Sequence, residues 1–303
     1  MSVDPGKPWS DGAQSQVNSF QPGNPSGGQD PILLSVIVPA YRQEATIAQD
    51  VRQLTAVLDS GKFHYEVILV VDGRVDATAK RAQDVGHPRV RVVEFEQNAG
   101  KGYAVRHGFL LARGELVSFI DAGMDIEPKA LLDALALQYS SGADIVIGSK
   151  RHPLSRVAYP RLRRIYSAGY QLLTRVFFGF DLRDTQVGMK LFRREVVDVV
   201  APRLLVKRFA FDVEVLAVAH LLGYRRIREV PVTIDHATFM STIRIKNIFE
   251  MLWDTLAVWY RIHVRNYYTG VRWQGAAMRA SPLGYAKTGG AGQTSPGGTS
   301  SCQ

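Results

Sequence analysis

Carboxylates recur at defined places in this 303-residue chain: Asp72 and Asp76 follow one apolar, β-rich run, and Asp121 and Asp125 follow another. A turn that needs only capping is served by a single Asp, so capping is the competing reading of either pair. Two pairs suit a ligand that combines hydrogen-bond donors with a polyanion. A nucleotide offers base and ribose hydroxyls to one carboxylate, and a divalent cation held by another can bridge a diphosphate. The common nucleotide fingerprints are absent. The turn Pro39-Ala40-Tyr41-Arg42-Gln43-Glu44 lacks the G-x-G-x-x-G needed for close approach of a dinucleotide pyrophosphate. Gly100-Lys101-Gly102 has Phe95 where a P-loop needs its first Gly, and no Ser or Thr after Lys101.

The elements that must position these residues alternate along the chain. Residues 33–38, 66–71, 89–95, 115–120 and 144–148 are short runs with strand character. Between the first two, Ile47, Val51, Leu54 and Leu58 recur at helical spacing, and residues 102–112 and 128–139 read as further helices. Such β-α alternation predicts an α/β fold, a mostly parallel sheet covered by helices on both faces. In an open sheet of that kind ligands sit beyond the carboxyl ends of the strands, where the Asp pairs fall. The domain is expected over residues 31–270. The Ser/Gly/Pro-rich residues 1–30 and the Gly/Ser/Thr-rich residues 271–303 are expected to be disordered tails.

Composition narrows the classes. The single cysteine, Cys302, leaves no disulfide and no Cys cluster for zinc or iron–sulfur. The longest uncharged apolar run, residues 31–41, is short of the ~20 residues a membrane-spanning helix needs. No secretion signal is evident in the first thirty residues, so a cytoplasmic location is expected. The 37 Lys and Arg against 28 Asp and Glu give a net charge of +9, which favours an anionic partner: nucleic acid, a phosphorylated substrate or a lipid surface. Between Asp144 and Asp181 there is no acidic residue, while Lys150, Arg151, Arg156, Arg161, Arg163, Arg164 and Arg175 all fall there. His107 and His220 lie in helical patterns and receive no role.

Several motifs in order, from about residue 34 to 266, resemble the family 2 glycosyltransferases of GT-A fold, within them the dolichyl-phosphate glucosyltransferase and polyprenyl-phosphate sugar synthase branch. Residues 34–41, Leu-Ser-Val-Ile-Val-Pro-Ala-Tyr, resemble the opening strand, with Arg42-Gln43-Glu44 where Asn-Glu is usual. Asp72-Gly73-Arg74-Val75-Asp76-Ala77-Thr78 is similar to D-G-S-x-D-x-T, and residues 98–108 to N-x-G-K-G-x-A-V-R-x-G. Asp184-Thr185-Gln186-Val187-Gly188-Met189-Lys190-Leu191-Phe192 resembles the D-T-Q-x-G-x-K-L-F block of the glucosyl-transferring type. Phe211-Asp212-Val213-Glu214 and Glu229-Val230-Pro231-Val232 close the pattern. There is one departure: the D-x-D metal motif reads Asp121-Ala122-Gly123-Met124-Asp125.

The resemblance implies a hexosyltransferase that takes a nucleotide diphosphate sugar, UDP-glucose by preference, with Mg²⁺ or Mn²⁺ at Asp121 and Asp125. Pro39, Tyr41, Glu44, Asp72, Lys101 and Asp121 are the expected donor-binding residues, and Asp121, Asp184 and Gln186 the catalytic ones. Asp212 and Glu214 are expected to orient the same cluster or to cap a helix. The implied acceptor is polyprenyl phosphate. Its second pKa lies near ~6, so it is already an anion that needs positioning rather than a base. Arg151, Arg163, Ser241 and Arg244 are the residues expected to hold it, since Arg gives bidentate phosphate contacts.

Two apolar stripes are expected either to meet a bilayer or to pack on the core. The first is Leu162, Ile165, Tyr166, Gly169, Leu172, Leu173, Val176 and Phe177; the second is Ile248, Leu252, Thr255, Trp259 and Ile262. The expected location is peripheral, on the cytoplasmic face of the membrane. The alternatives are the same fold acting on a soluble acceptor, a member disabled at Gly123, or a basic nucleic-acid binder. The last lacks a recognition motif, and no nucleic-acid partner is expected.

Overall fold

The computed structural model describes residues 31–156, 161–234 and 245–270; at 161–168, 245–248 and 270 it describes the backbone alone. The first half alternates strand and helix: β1 (Leu34–Ala40), α1 (Ile47–Asp59), β2 (Tyr65–Val71), α2 (Thr78–Gln83), β3 (Val90–Glu94), α3 (Lys101–Leu111), β4 (Leu116–Ile120), α4 (Lys129–Ser141) and β5 (Ile145–Ser149). The second half follows with α5 (Arg161–Phe178), β6 (Met189–Arg193), α6 (Arg194–Val200), a 3₁₀ turn, α7 (Phe211–Leu221), β7 (Ile227–Pro231), α8 (Ile245–His263) and α9 (Tyr267–Gly270).

The strands form one sheet in the order β3-β2-β1-β4-β6-β5-β7. Every residue of β1, β2, β4 and β5 is buried. That explains their unbroken apolar reading, because helices cover both faces. On one face Val51, Leu54 and Leu58 of α1 pack with Leu131, Ala134 and Leu135 of α4. On the other, Val105 and Phe109 of α3 meet Val196 of α6, Phe211 and Leu216 of α7, Tyr170 of α5 and Val258 of α8.

The neighbouring strands are parallel except β6, which runs antiparallel to both β4 and β5. That reversal decides what reaches the ligand end. Ile120, the last residue of β4, pairs with Met189, the first of β6, so the chain entering β6 at residues 184–188 arrives where β4 ends at Asp121. Ser149 of β5 pairs with Pro231 of β7, so β7 leaves at that end too. The opposite end is held by a polar lock. Ser35 donates to Glu66 at 2.7 Å, and the Arg113 guanidinium grips Glu66 at 2.8 and 3.1 Å.

Candidate active site

The Asp pairs separate in role. Asp76 accepts the Thr78 amide at 2.9 Å and Glu44 accepts the Ala77 amide at 3.0 Å, so both satisfy the start of α2, as the capping reading has it. Asp72 is 3% exposed and accepts the amides of Ala99 and Gly100 at 2.7 and 2.8 Å and the Asn98 side chain at 3.0 Å. It therefore fixes the turn that starts α3. Burial pushes its carboxyl above the usual range, against the pull of those two amides. Tyr41 stands 39% exposed at the rim just after β1, under the Arg42 guanidinium.

The turn anchored by Asp72 delivers Lys101 to the centre. Its ammonium lies 2.8 and 2.9 Å from the two Asp121 oxygens and 3.3 Å from Asp212. The other Asp212 oxygen accepts from Lys190 at 2.5 Å, and Lys190 also donates to the Val187 carbonyl at 2.7 Å. Lys190 is 0% exposed, so its charge is tolerated only through these partners. Burial alone would push the Lys101 ammonium down, but Asp121 and Asp212 outweigh it and hold it above the usual lysine range. Burial would raise the Asp212 carboxyl, but the two ammonium groups outweigh that and hold it low. Glu214, expected to orient this cluster or to cap a helix, is elsewhere. It accepts the Leu205 and Val206 amides and the Tyr268 hydroxyl, tying α7 to the C-terminal helix.

Asp121 is joined to the 184–188 loop by its own amide, which donates to the Gly188 carbonyl at 2.9 Å. A Cβ on Gly188 would stand 2.1 Å from the Asp121 carboxylate, so only glycine lets the two segments meet this closely. Asp184 accepts the Gln186 and Lys150 amides at 3.2 and 3.4 Å and shapes the loop; burial raises its carboxyl. Gln186 donates to Met251 Sδ at 2.7 Å, linking the loop to α8. Arg151 reaches Gln171 on α5. The Arg163 side chain, Ser241 and Arg244 lie outside the described residues.

A metal has a limited set of protein ligands here. Asp121 is 41% exposed in its side chain and can accept a second cation beside Lys101. Gly123 and Met124 both have left-handed backbone, φ 85° and 47°, and half-buried Asp125 lies beyond them. The Gly123 amide donates to Asp50 at 2.8 Å. Among the described residues no three His, Cys, Asp or Glu gather into a metal cage. The set fits an ion shared with a substrate diphosphate, since Mg²⁺ takes as few as one or two protein carboxylates.

The second apolar stripe packs inward. Thr255 is 0% and Ile262 8% exposed, with Leu252 and Trp259 partly buried against the core, while Ile248 lies outside the described side chains. Its opposite face is the open one: Phe249, Trp253, Leu256 and Tyr260 are 69%, 72%, 42% and 45% exposed. On α5, Leu172 and Val176 are exposed and Phe177 is partly buried against the core, while the stripe's residues before Gly169 lie outside the described side chains. The two helices touch through Tyr170 with Thr255 and Phe177 with Trp259.

One functional candidate escapes the motif reading: Asp50, signalled only by an acid on the otherwise apolar face Ile47, Val51, Leu54. Lys190 lies inside the D-T-Q-x-G-x-K-L-F block, which gave it no role; its sequence signal is a lysine inside the apolar strand Met-Lys-Leu-Phe.

The model of glycosyl transferase family 2 matches residues 35–200, more than half of the chain. The chain belongs to glycosyl transferase family 2. Among its relatives in that family, the dolichyl-phosphate beta-glucosyltransferase of Drosophila melanogaster is 38% identical over 216 residues, 65% of this chain and 66% of that protein. The Dictyostelium discoideum enzyme of the same name is 33% identical over 209 residues, covering 64% of each. The chain thus spans just under two thirds of the length of these relatives. Among solved structures, glucosyl-3-phosphoglycerate synthase from Mycobacterium tuberculosis, in complex with Mn²⁺, UDP-glucose and phosphoglyceric acid, superposes with a TM-score of 0.60 at 19% identity over 85% of this chain and 84% of that one. That similarity establishes the GT-A fold.

Proposed function

We propose that this glycosyltransferase moves glucose from UDP-glucose to the phosphate of a polyprenyl or dolichyl lipid, with inversion at the anomeric carbon. The observation that carries this reading is the meeting of Asp121 and Lys101 with the 184–188 loop, itself tied through Gln186 to the helix pair whose outer face is apolar. The activity in the relatives' names supports the sugar and the lipid.

In this reading Pro39, Tyr41, Glu44 and Asp72 frame the nucleotide, and Asp121 and Lys101 face its diphosphate. A lipid phosphate oxygen attacks C1 of glucose while the bond from C1 to the diphosphate oxygen breaks, and the electron pair leaves with UDP. The attacking oxygen is already anionic, so Asp184 and Gln186 serve by shaping the acceptor side rather than by removing a proton. Arg151, Arg163, Ser241 and Arg244 are assigned to the lipid phosphate on residue type. A divalent ion, Mg²⁺ or Mn²⁺, would be held by Asp121, with Asp125 as an outer acid, and would supply charge neutralisation at the leaving diphosphate. The protein lies peripherally on the cytoplasmic membrane face, α8 outward.

The test is transfer of label from UDP-glucose, GDP-mannose and UDP-N-acetylhexosamines into organic-extractable product, with polyprenyl phosphate present or absent. Lipid-dependent label from UDP-glucose alone is the expected result. Label that appears only with a soluble acceptor would overturn the reading.

A further inference from the structure

We propose that the cleft between α5 and the edge strand β7 is a headgroup site for an anionic phospholipid, separate from the residues assigned to the donor and the acceptor. Its volume is about 680 Å³, ordinary for a small-ligand pocket. Three arginines line it from three segments: Arg175 in the last turn of α5, Arg183 just ahead of the 184–188 loop and Arg228 on β7. Two carboxylates stand beside them, and neither cancels the charge. Asp181 pairs with Arg175 at 3.1 Å, but with side chains 90% and 64% exposed the pair is open to solvent and to exchange. Glu229 is occupied by the fold: it accepts the Arg183 and Asp184 amides at 2.8 and 3.3 Å and stands 3.9 Å from Arg183 Nε. The Arg228 guanidinium has no hydrogen bond or ion pair among the described residues. His152 adds a neutral N–H, because its Nδ1 accepts the Leu154 amide at 3.3 Å and burial, with Arg183 beside it, holds the imidazole below the usual histidine range. Guanidinium forks and an N–H donor around one cleft are the chemistry that binds phosphate oxygens.

The lip of the cleft selects among phosphates. Leu172 lines it and is 64% exposed, and Val176, one turn further along α5, is 72% exposed, so an apolar strip leads away from the arginines. A phosphate that carries acyl chains covers both features, whereas a sugar phosphate leaves the strip bare. The same helix packs on α8 through Phe177 and Trp259, which sets the strip beside the helix already assigned to the bilayer. The cleft also shares a wall with the acceptor side: Gln171 lines it, takes the Arg151 guanidinium on its side-chain carbonyl and donates to the Leu182 carbonyl at 2.7 Å. The bound lipid is thus a neighbour of the acceptor phosphate and not the acceptor. That last relation rests on the acceptor reading above; the site itself does not.

The test is co-sedimentation of the full chain with phosphatidylcholine vesicles that do or do not contain phosphatidylglycerol, at one ionic strength. The proteins compared are the wild type, the double variant Arg175→Gln, Arg228→Gln and a charge-matched control, Arg52→Gln, Arg81→Gln, whose arginines are exposed on α1 and α2. The cleft variant is expected to bind phosphatidylglycerol vesicles about 10- to 30-fold more weakly than the wild type, at about a factor of five per arginine. The control is expected to stay within about twofold, since exposed charges away from the contact are screened. All three should bind pure phosphatidylcholine vesicles alike. Equal losses in variant and control would overturn the site by reducing it to net charge, and no loss in either would overturn it outright. Glycerophosphoglycerol, the same headgroup without chains, is expected to compete only at far higher concentration than the lipid. Tight binding of it by a wild type that shows no preference for phosphatidylglycerol vesicles would overturn the lipid in favour of a soluble phosphate. Thermal melting and UDP affinity, both expected to be unchanged, show that the variants fold, and no arm depends on sugar transfer.

Discussion

At the strand ends of β2, β4 and β6, Asp121, Lys101, Asp212 and Lys190 are linked at 2.5–3.3 Å, and Asp72 spends both oxygens on backbone amides. Along α8, which Met251 joins to Gln186 of the 184–188 loop, Trp253 and Phe249 stand 72% and 69% exposed. The first region has its polar partners in place before any ligand arrives. The second exposes a contiguous apolar face of the kind that marks an interaction surface. The contrast fits the two substrates proposed: a charged, water-soluble donor needs fixed dipoles and cations, and a lipid acceptor needs a protein that can rest on a bilayer.

Asp121→Asn should separate the regions most sharply. Removing the charge that faces Lys101 and, in the proposed reading, the donor diphosphate is expected to lower transfer about 10²- to 10³-fold while thermal unfolding moves by only a few degrees, because Asp121 is partly exposed. Turnover near that of the wild type would break the assignment. Lys190→Met acts on stability instead. It leaves the buried Asp212 carboxylate with only the more distant Lys101 ammonium and is expected to cost about 3–5 kcal/mol in urea unfolding, much of which the added change Asp212→Leu should restore.

On the helix side, replacing Trp253 and Tyr260 together by Ser should weaken co-sedimentation with anionic vesicles about tenfold or more, with UDP affinity unchanged. Equal sedimentation of both proteins would remove α8 as the contact. The smallest effect belongs to the far end of the sheet. Burial would raise the Glu66 carboxyl, but hydrogen bonds from Arg113 and Ser35 outweigh it and hold it below the usual range. Its stabilisation is thus present above the unfolded value of ~4.3 and lost as pH falls through the lower folded value. Glu66→Gln should cost about 1–3 kcal/mol near neutral pH. Stability curves of the two proteins should converge in acid; curves parallel from pH 7 to pH 3 would contradict that role.

The parallel half of the sheet was legible because strands buried on both faces read as unbroken apolar runs such as Val-Ile-Leu-Val-Val in β2. The antiparallel insertion of β6 was not, since register and direction depend on partners far along the chain. With it went the reason that residues 184–188 reach Asp121. Asp121, Lys101 and Asp184 were found by motif, and motif set Asp72 apart from Asp76 as a donor-binding residue, but it gave no sign that Asp72 anchors the turn before α3 while Asp76 satisfies the start of α2. For α8 the period was legible and the face was not. Both faces are rich in large apolar residues, so the inward choice of Thr255, Val258 and Ile262 follows from the position of α5 rather than from hydrophobicity.

The most direct measurement compares glucose transfer to two acceptors, a long polyprenyl phosphate embedded in vesicles and a short, water-soluble prenyl phosphate, using the wild type and the Trp253→Ser, Tyr260→Ser double variant. The division of labour proposed here predicts that the variant loses most of its rate on vesicles and keeps it on the soluble acceptor. Equal losses on both acceptors, or none on vesicles, would contradict it.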